Sequence, residues 1–247
     1  MVNDKYSNQN LLSIQPFTSQ ASNIEKIANE LGKDLGDKES FPRMTEEQFM
    51  FTLNYFKDET KNSFVFKEIK IIIYLMGLYG LNTRKIVSLI DKDFDEEKRT
   101  LRIIDETKVK RNIYLELPYN LSNMLIDYKK ERQSYTNEYN NLFITREGTV
   151  IDNNFTSHQL NNVRDQFKKT KNIKSLKNNP FTPSGICKYS IIKMMLNNIS
   201  NSIIMDITGF KGIIINECQE ITNEITKNTK NRYINHKIRA IDTFDML

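Results

Sequence analysis

The chain has 247 residues, 38% hydrophobic and 10% aromatic, with 8 glycines and 5 prolines. That is enough apolar material for one well-packed core, and it excludes a fibrous or wholly disordered chain. A formal charge of +5 suits an anionic partner without proving one.

Two cysteines, Cys187 and Cys218, make neither a disulfide framework nor a metal quartet. No apolar run approaches the roughly 20 residues of a membrane span. The first residues lack the basic and apolar regions of a signal peptide. The expected setting is the cytoplasm, with no membrane partner, no metal and no cofactor.

Residues 1–41 read as a flexible arm with one short helix, in which Ile24, Ile27, Ala28 and Leu31 repeat at helical spacing before Gly32. Residues 42–247 read as one domain. Thr45-Glu46-Glu47-Gln48 is a capping-box pattern, with Phe49, Leu53 and Phe56 on the buried face behind it. Residues 69–78 are the most apolar and predict a central core helix. Gly80 breaks the chain, and Asn82 or Thr83 caps a helix carrying Ile86, Val87, Leu89 and Ile90. Residues 100–104 and 112–117 alternate as strands around a basic tip, Lys108-Val109-Lys110-Arg111. Pro118 ends the second strand, and Leu121, Met124, Leu125 and Tyr128 continue as a helix. Leu142-Phe143-Ile144 predicts a third strand, closed by Arg146-Glu147-Gly148. Helices follow over 155–167, 183–196, 200–207 and 217–241, with 217–247 a helical tail and a candidate dimerisation element. The predicted fold class is α+β, mainly α-helical, with a small three-stranded antiparallel sheet.

The most informative stretch is Thr182-Pro183-Ser184-Gly185-Ile186-Cys187-Lys188-Tyr189, then an apolar run to Leu196, then Ile207-Thr208-Gly209-Phe210. It resembles the place where tyrosine recombinases (phage integrases) carry Thr-Pro-His-x-Leu-Arg-His, an apolar helix and Leu-Gly-His. Ser184 stands at the first His, Cys187 at the Arg, and Phe210 at the His of the second motif. Leu75-Met76-Gly77-Leu78-Tyr79-Gly80-Leu81-Asn82 resembles the family's Leu-x-Thr-Gly-Leu-Arg segment, with Asn82 at the Arg. Lys108, ten residues before Pro118, stands at the hairpin lysine. Leu142-Phe143 followed by Arg146-Glu147-Gly148 resembles Leu-Phe-x-x-x-x-Gly. The resemblance covers about residues 42–215 and implies a tyrosine recombinase catalytic-domain fold. That family adds an N-terminal helical domain of roughly 100 residues, for which the 41 residues before Pro42 are too short.

In that family a tyrosine hydroxyl attacks a DNA phosphodiester and forms a 3′-phosphotyrosine. Two arginines hold the charge on the pentavalent phosphate, a lysine protonates the departing 5′ oxygen, and histidines assist proton transfer. Asn82 and Cys187 bring neither the charge nor the planar fork of arginine. The family's tyrosine lies about ten residues past Leu-Gly-His. Here residues 213–221 hold none, and Tyr233 is the next.

These losses lead to three expectations. The first is that the chain is not an enzyme but a sequence-specific DNA-binding regulator, by analogy a prophage repressor maintaining lysogeny. The alternative is a divergent active recombinase using Tyr233, with Arg84 or Lys188 on the phosphate. A protein-interaction module that keeps only the fold is the third. The expected partner is double-stranded DNA, and a second copy through the C-terminal helix. Candidate DNA contacts are Arg84, Lys108, Lys110, Arg111, Arg146, His158, Arg164, Lys168, Lys169, Lys171, Lys174, Lys177 and Lys188.

Overall fold

The computed structural model describes residues 42–57, 63–105, 111–135, 140–176, 178–227, 234–235 and 238–240. The arm and short helix expected in 1–41 lie outside the described residues.

Helix α1 (Glu46–Phe56) starts with the expected capping box: the Gln48 N–H donates to Thr45 Oγ1 and the Thr45 N–H to Gln48 Oε1. Helix α2 (Phe64–Tyr79) is capped by Ser63 and runs through the centre of the domain. Ile69, Ile71, Ile72, Ile73, Leu75 and Met76 are all fully buried. Each such side chain contributes about 1.5–3 kcal/mol of burial, so this helix carries a large part of the core. Gly80, at φ +62°, ends it in the left-handed region that favours glycine.

Asn82 then caps the short α3 (Thr83–Ser88). Leu89 and Ile90, expected to be helical, are instead extended. Their backbone bonds the segment around residue 141: the Leu142 N–H donates to Leu89 O at 2.7 Å, and Ile90 bridges Asn141.

The sheet is antiparallel in the order β1 (Phe94–Asp95), β2 (Thr100–Asp105), β3 (Arg111–Glu116). Leu101 pairs with Leu115 and Ile103 with Ile113. The three-stranded count is as expected, but the third member is not. The predicted strand 142–144 forms one isolated bridge, from Ile144 to Val150, and Phe94–Asp95 takes its place in the sheet. Leu142, Phe143 and Ile144 are buried on every side, and the Ile144 N–H is taken by Glu68 Oε1 at 2.9 Å. With the Leu142 amide spent on Leu89 O and the Ile144 amide on the Glu68 carboxyl, neither is left to extend the ladder of the sheet.

Helix α4 (Tyr119–Arg132) follows Pro118, α5 (Phe155–Lys171) ends at Asn172 in the left-handed region, and α6 (Pro183–Leu196) is capped by Thr182 with proline at its first position. Ser200 caps α7 (Asn201–Thr208), which stops at Gly209. Helix α8 (Gly212–Thr226) begins five residues earlier than expected, and Ile234, Asn235, Ile238 and Arg239 beyond it are also helical. No helix among the described residues is long and apolar enough to cross a membrane.

Candidate active site

Three segments far apart in sequence meet at one point: the turn between α2 and α3, the first half of α6, and the turn between α7 and α8. The Asn82 N–H donates to Thr208 O at 3.1 Å, and Asn82 Nδ2 donates to Gly209 O at 2.9 Å. Asn82 Oδ1 accepts the Lys85 N–H at 2.8 Å, so both ends of the carboxamide are engaged. Lys85, almost fully buried, donates from Nζ to Asp206 O. Cys187 Sγ donates to Leu81 O at 3.4 Å. Gly209 is required here twice over. Its φ is +74°, and a Cβ would stand 2.7 Å from Asn82 Nδ2 and 2.9 Å from Lys85 Cε. The positions aligned from sequence as Asn82, Cys187 and the Gly209-Phe210 pair therefore share one site.

The chemistry of that site is neutral at the two aligned arginine positions. Asn82 offers no charge. Cys187 is fully buried, and burial pushes its thiol far above the usual range, with the Cys218 thiol adding to the effect. Such a thiol is neither a nucleophile nor an anion ligand. Phe210 is half-buried and packs against the core, its N–H on Thr208 Oγ1 at 3.2 Å. Ser184 lies half-buried in the first turn of α6, where Thr182 Oγ1 accepts the Gly185 N–H.

Lys188 departs from expectation. It is not an exposed DNA contact: it is fully buried, and its Nζ sits 2.6 Å from Glu217 Oε2 on α8. The reason is angular. Lys188 lies on the side of α6 that packs on α8, one residue from buried Cys187, and sequence alone does not reveal that α8 covers this side.

The other candidate cations are spread over several elements. Arg84 is exposed on the first turn of α3. Arg111 is exposed at the start of β3, and Arg146 in the turn closed by Gly148. His158 is exposed near the start of α5, and Arg164, further along it, pairs with Asp165 at 3.0 Å. Lys168, Lys169 and Lys174 line a cavity of about 380 Å³ at the end of α5, together with Asp165, Asn172 and Ile173. Lys171 is tied to Glu47 on α1. Lys108, Lys110, Lys177 and Tyr233 lie outside the described residues.

Sequence reasoning passed over Lys85, the buried cation beneath Asn82. The available signal was a lysine three residues past a helix cap, next in sequence to the apolar Ile86.

The domain has the fold of tyrosine recombinase catalytic domains. It superposes on the XerH site-specific recombinase, solved with palindromic difH substrate in a post-cleavage complex, at TM-score 0.61 and 14% identity. That match covers 82% of this chain and 55% of the XerH chain. The XerA recombinase gives TM-score 0.56 at 13% identity, over 86% of this chain and 76% of XerA. The Tn1549 transposon integrase, solved with transposon right end DNA, gives 0.58 at 13% identity, over 87% and 70%. The chain thus spans little more than half the length of XerH. No family model and no curated protein sequence matches this chain.

The expectation that the chain is not an enzyme is corrected: the proteins whose fold it shares are recombinases and integrases.

Proposed function

We propose that the chain acts on duplex DNA as a divergent site-specific recombinase of the integrase type. The observation that supports this is the meeting of Asn82, Cys187 and Gly209 at one point of a fold shared with DNA recombinases. In this reading Tyr233 is the nucleophile, Arg84 the guanidinium on the scissile phosphate, and Lys108 the proton donor to the 5′ oxygen. Each transition-state donor removed from such a site costs about a hundredfold or more. With Asn82 and Cys187 at the two arginine positions, strand cleavage is slow.

Duplex DNA lies against Lys168, Lys169 and Lys174 at the end of α5, with Arg111 and Arg146 as further phosphate contacts. Phosphate contacts release counterions, and the logarithm of affinity falls by roughly 0.9 per contact for each decade of salt. A duplex enriched from a random-sequence library should therefore bind far more weakly at high than at low salt. Reversing Lys168, Lys169 and Lys174 to glutamate together should lower affinity at least about tenfold and flatten the salt slope. Binding indifferent to salt and to these changes contradicts the assignment.

A second role on the same site is transcriptional regulation by occupancy, with a prophage repressor as its specific form. The internal bonds of Asn82 and Cys187 favour it, because a site with no charged phosphate ligand at these two positions can hold DNA without cutting it. Mapping of bound sites in the host separates the two roles. A palindrome upstream of lytic genes supports regulation, and a single attachment-like site opposes it.

A further inference from the structure

A groove of about 520 Å³ lies between α1, α2 and the start of α4. Its walls are apolar: Phe49, Leu53, Leu78 and Met124 line it, and Leu78 is 45% exposed although it belongs to the most apolar helix of the chain. Two ammonium groups, Lys57 and Lys70, stand among these walls, and no acidic side chain lines the groove among the described residues. Neither lysine has an acidic partner among them, in contrast to Lys67 one turn away, which pairs with Glu131 at 2.6 Å. Half-buried Tyr74 also lines the groove, and its hydroxyl has no hydrogen-bond partner among the described residues.

This combination selects its occupant. Apolar walls do not suit the phosphate backbone of a duplex, which is recognised by cationic and polar surfaces. They suit the apolar face of a helical or extended peptide. Two ammonium groups without an acidic partner among the described residues, and a phenol, call for a carboxylate beside that face, since opposite charge at the rim sets which partner docks.

We propose that this groove is a docking site for an amphipathic segment of another protein, presenting two or three large apolar side chains flanked by carboxylates. Leu78 and Met124 take the apolar side chains. Lys70, Lys57 and the Tyr74 hydroxyl take the carboxylates. The proposal is independent of the DNA reading, because none of these residues belongs to the site around Asn82.

The test uses two fluorescein-labelled peptides of about twelve residues, roughly three helical turns. They share the same leucine and phenylalanine positions, and one carries glutamate where the other carries lysine. Fluorescence anisotropy with the full chain should show the acidic peptide binding at least about tenfold more tightly than the basic one. Lys70→Glu should reverse that preference, and Leu78→Asp should abolish binding of both, with circular dichroism showing both variants folded. Equal affinity for the two peptides, no binding of either, or a preference untouched by Lys70→Glu overturns the proposal. Self-association lost in Leu78→Asp overturns it in favour of a second copy. Displacement of the acidic peptide by duplex DNA at low salt overturns it in favour of the DNA face.

Discussion

Replacing Glu217 by alanine is expected to destabilise the domain by about 3–5 kcal/mol, a large share of the stability of a typical domain. The Lys188 side chain is fully buried, whereas that of Glu217 retains 31% exposure, so the two ends of their 2.6 Å ion pair are not equivalent. Removing the carboxylate takes from a fully buried ammonium the counter-charge that Glu217 supplies at 2.6 Å. Removing the ammonium, as in Lys188→Met, leaves a carboxylate that can turn to water, and the long apolar replacement still fills the space. The second loss should be smaller, about 1–2 kcal/mol. The pair ties α8 to α6, the helix that also carries Ser184 and Cys187, so its loss loosens the element leading towards Tyr233. Urea unfolding followed by circular dichroism measures both variants. A Glu217→Ala protein within about 1 kcal/mol of the parent, or a Lys188→Met protein worse than it, contradicts this account.

Glu68 gives the second large effect. It lies fully buried in α2, where its Oε1 accepts the Tyr128 hydroxyl at 2.8 Å and the Ile144 N–H at 2.9 Å. Its Oε2 has no hydrogen-bond partner among the described residues. Burial pushes the carboxyl up to about 8 from 4.5, against the opposing pull of the two hydrogen bonds and the Arg132 charge. The native state therefore keeps a proton that the unfolded chain loses near pH 4.5. The stability Glu68 contributes is fully present below that pH, falls as the pH rises towards 8, and changes little above. A shift of this size corresponds to about 5 kcal/mol over the window. Exposed carboxylates held low by their neighbours, such as Glu46 beside Lys193 and Tyr189, act in the opposite sense but only at more acid pH. Glu68→Gln should remove most of the fall between pH 5 and 8 and leave the variant more stable than the parent at pH 9. Parallel stability curves for the two proteins across that range contradict the assignment.

The course of the main chain was largely legible in the sequence. The capping box at Thr45, the stop at Gly80, the cap at Asn82 and the Thr182-Pro183 start of α6 are local signals, and each fixes an element end through its own backbone bonds. Strand β1 was missed because two residues carry no periodicity. The segment 142–144 was misread because three consecutive apolar residues look alike whether they pair with a strand or are buried by side chains. Three-dimensional neighbours decided the rest. Asn82 was legible as a cap, but its bond to Gly209 O joins residues 127 apart. Lys188 looked like a surface cation because sequence cannot show that Glu217 lies across from it. Glu68 was hidden by its context, a lone acid in the most apolar helix.

The enzymatic reading stood in the sequence only as the alternative, for a related reason. Position-by-position comparison counts Asn82 and Cys187 as losses. It does not weigh the meeting of the three segments in space, which brings Asn82 onto Gly209 and Cys187 onto Leu81.

The most direct test of strand transfer is a trapped covalent adduct. A duplex enriched by binding to the full chain is nicked so that the cleaved fragment diffuses away, incubated with the protein, and resolved on a denaturing gel. The account predicts a slowly accumulating protein–DNA adduct that is absent in Tyr233→Phe and strongly reduced in Arg84→Ala. A duplex that is bound tightly and gives no adduct, or an adduct that survives Tyr233→Phe, contradicts it.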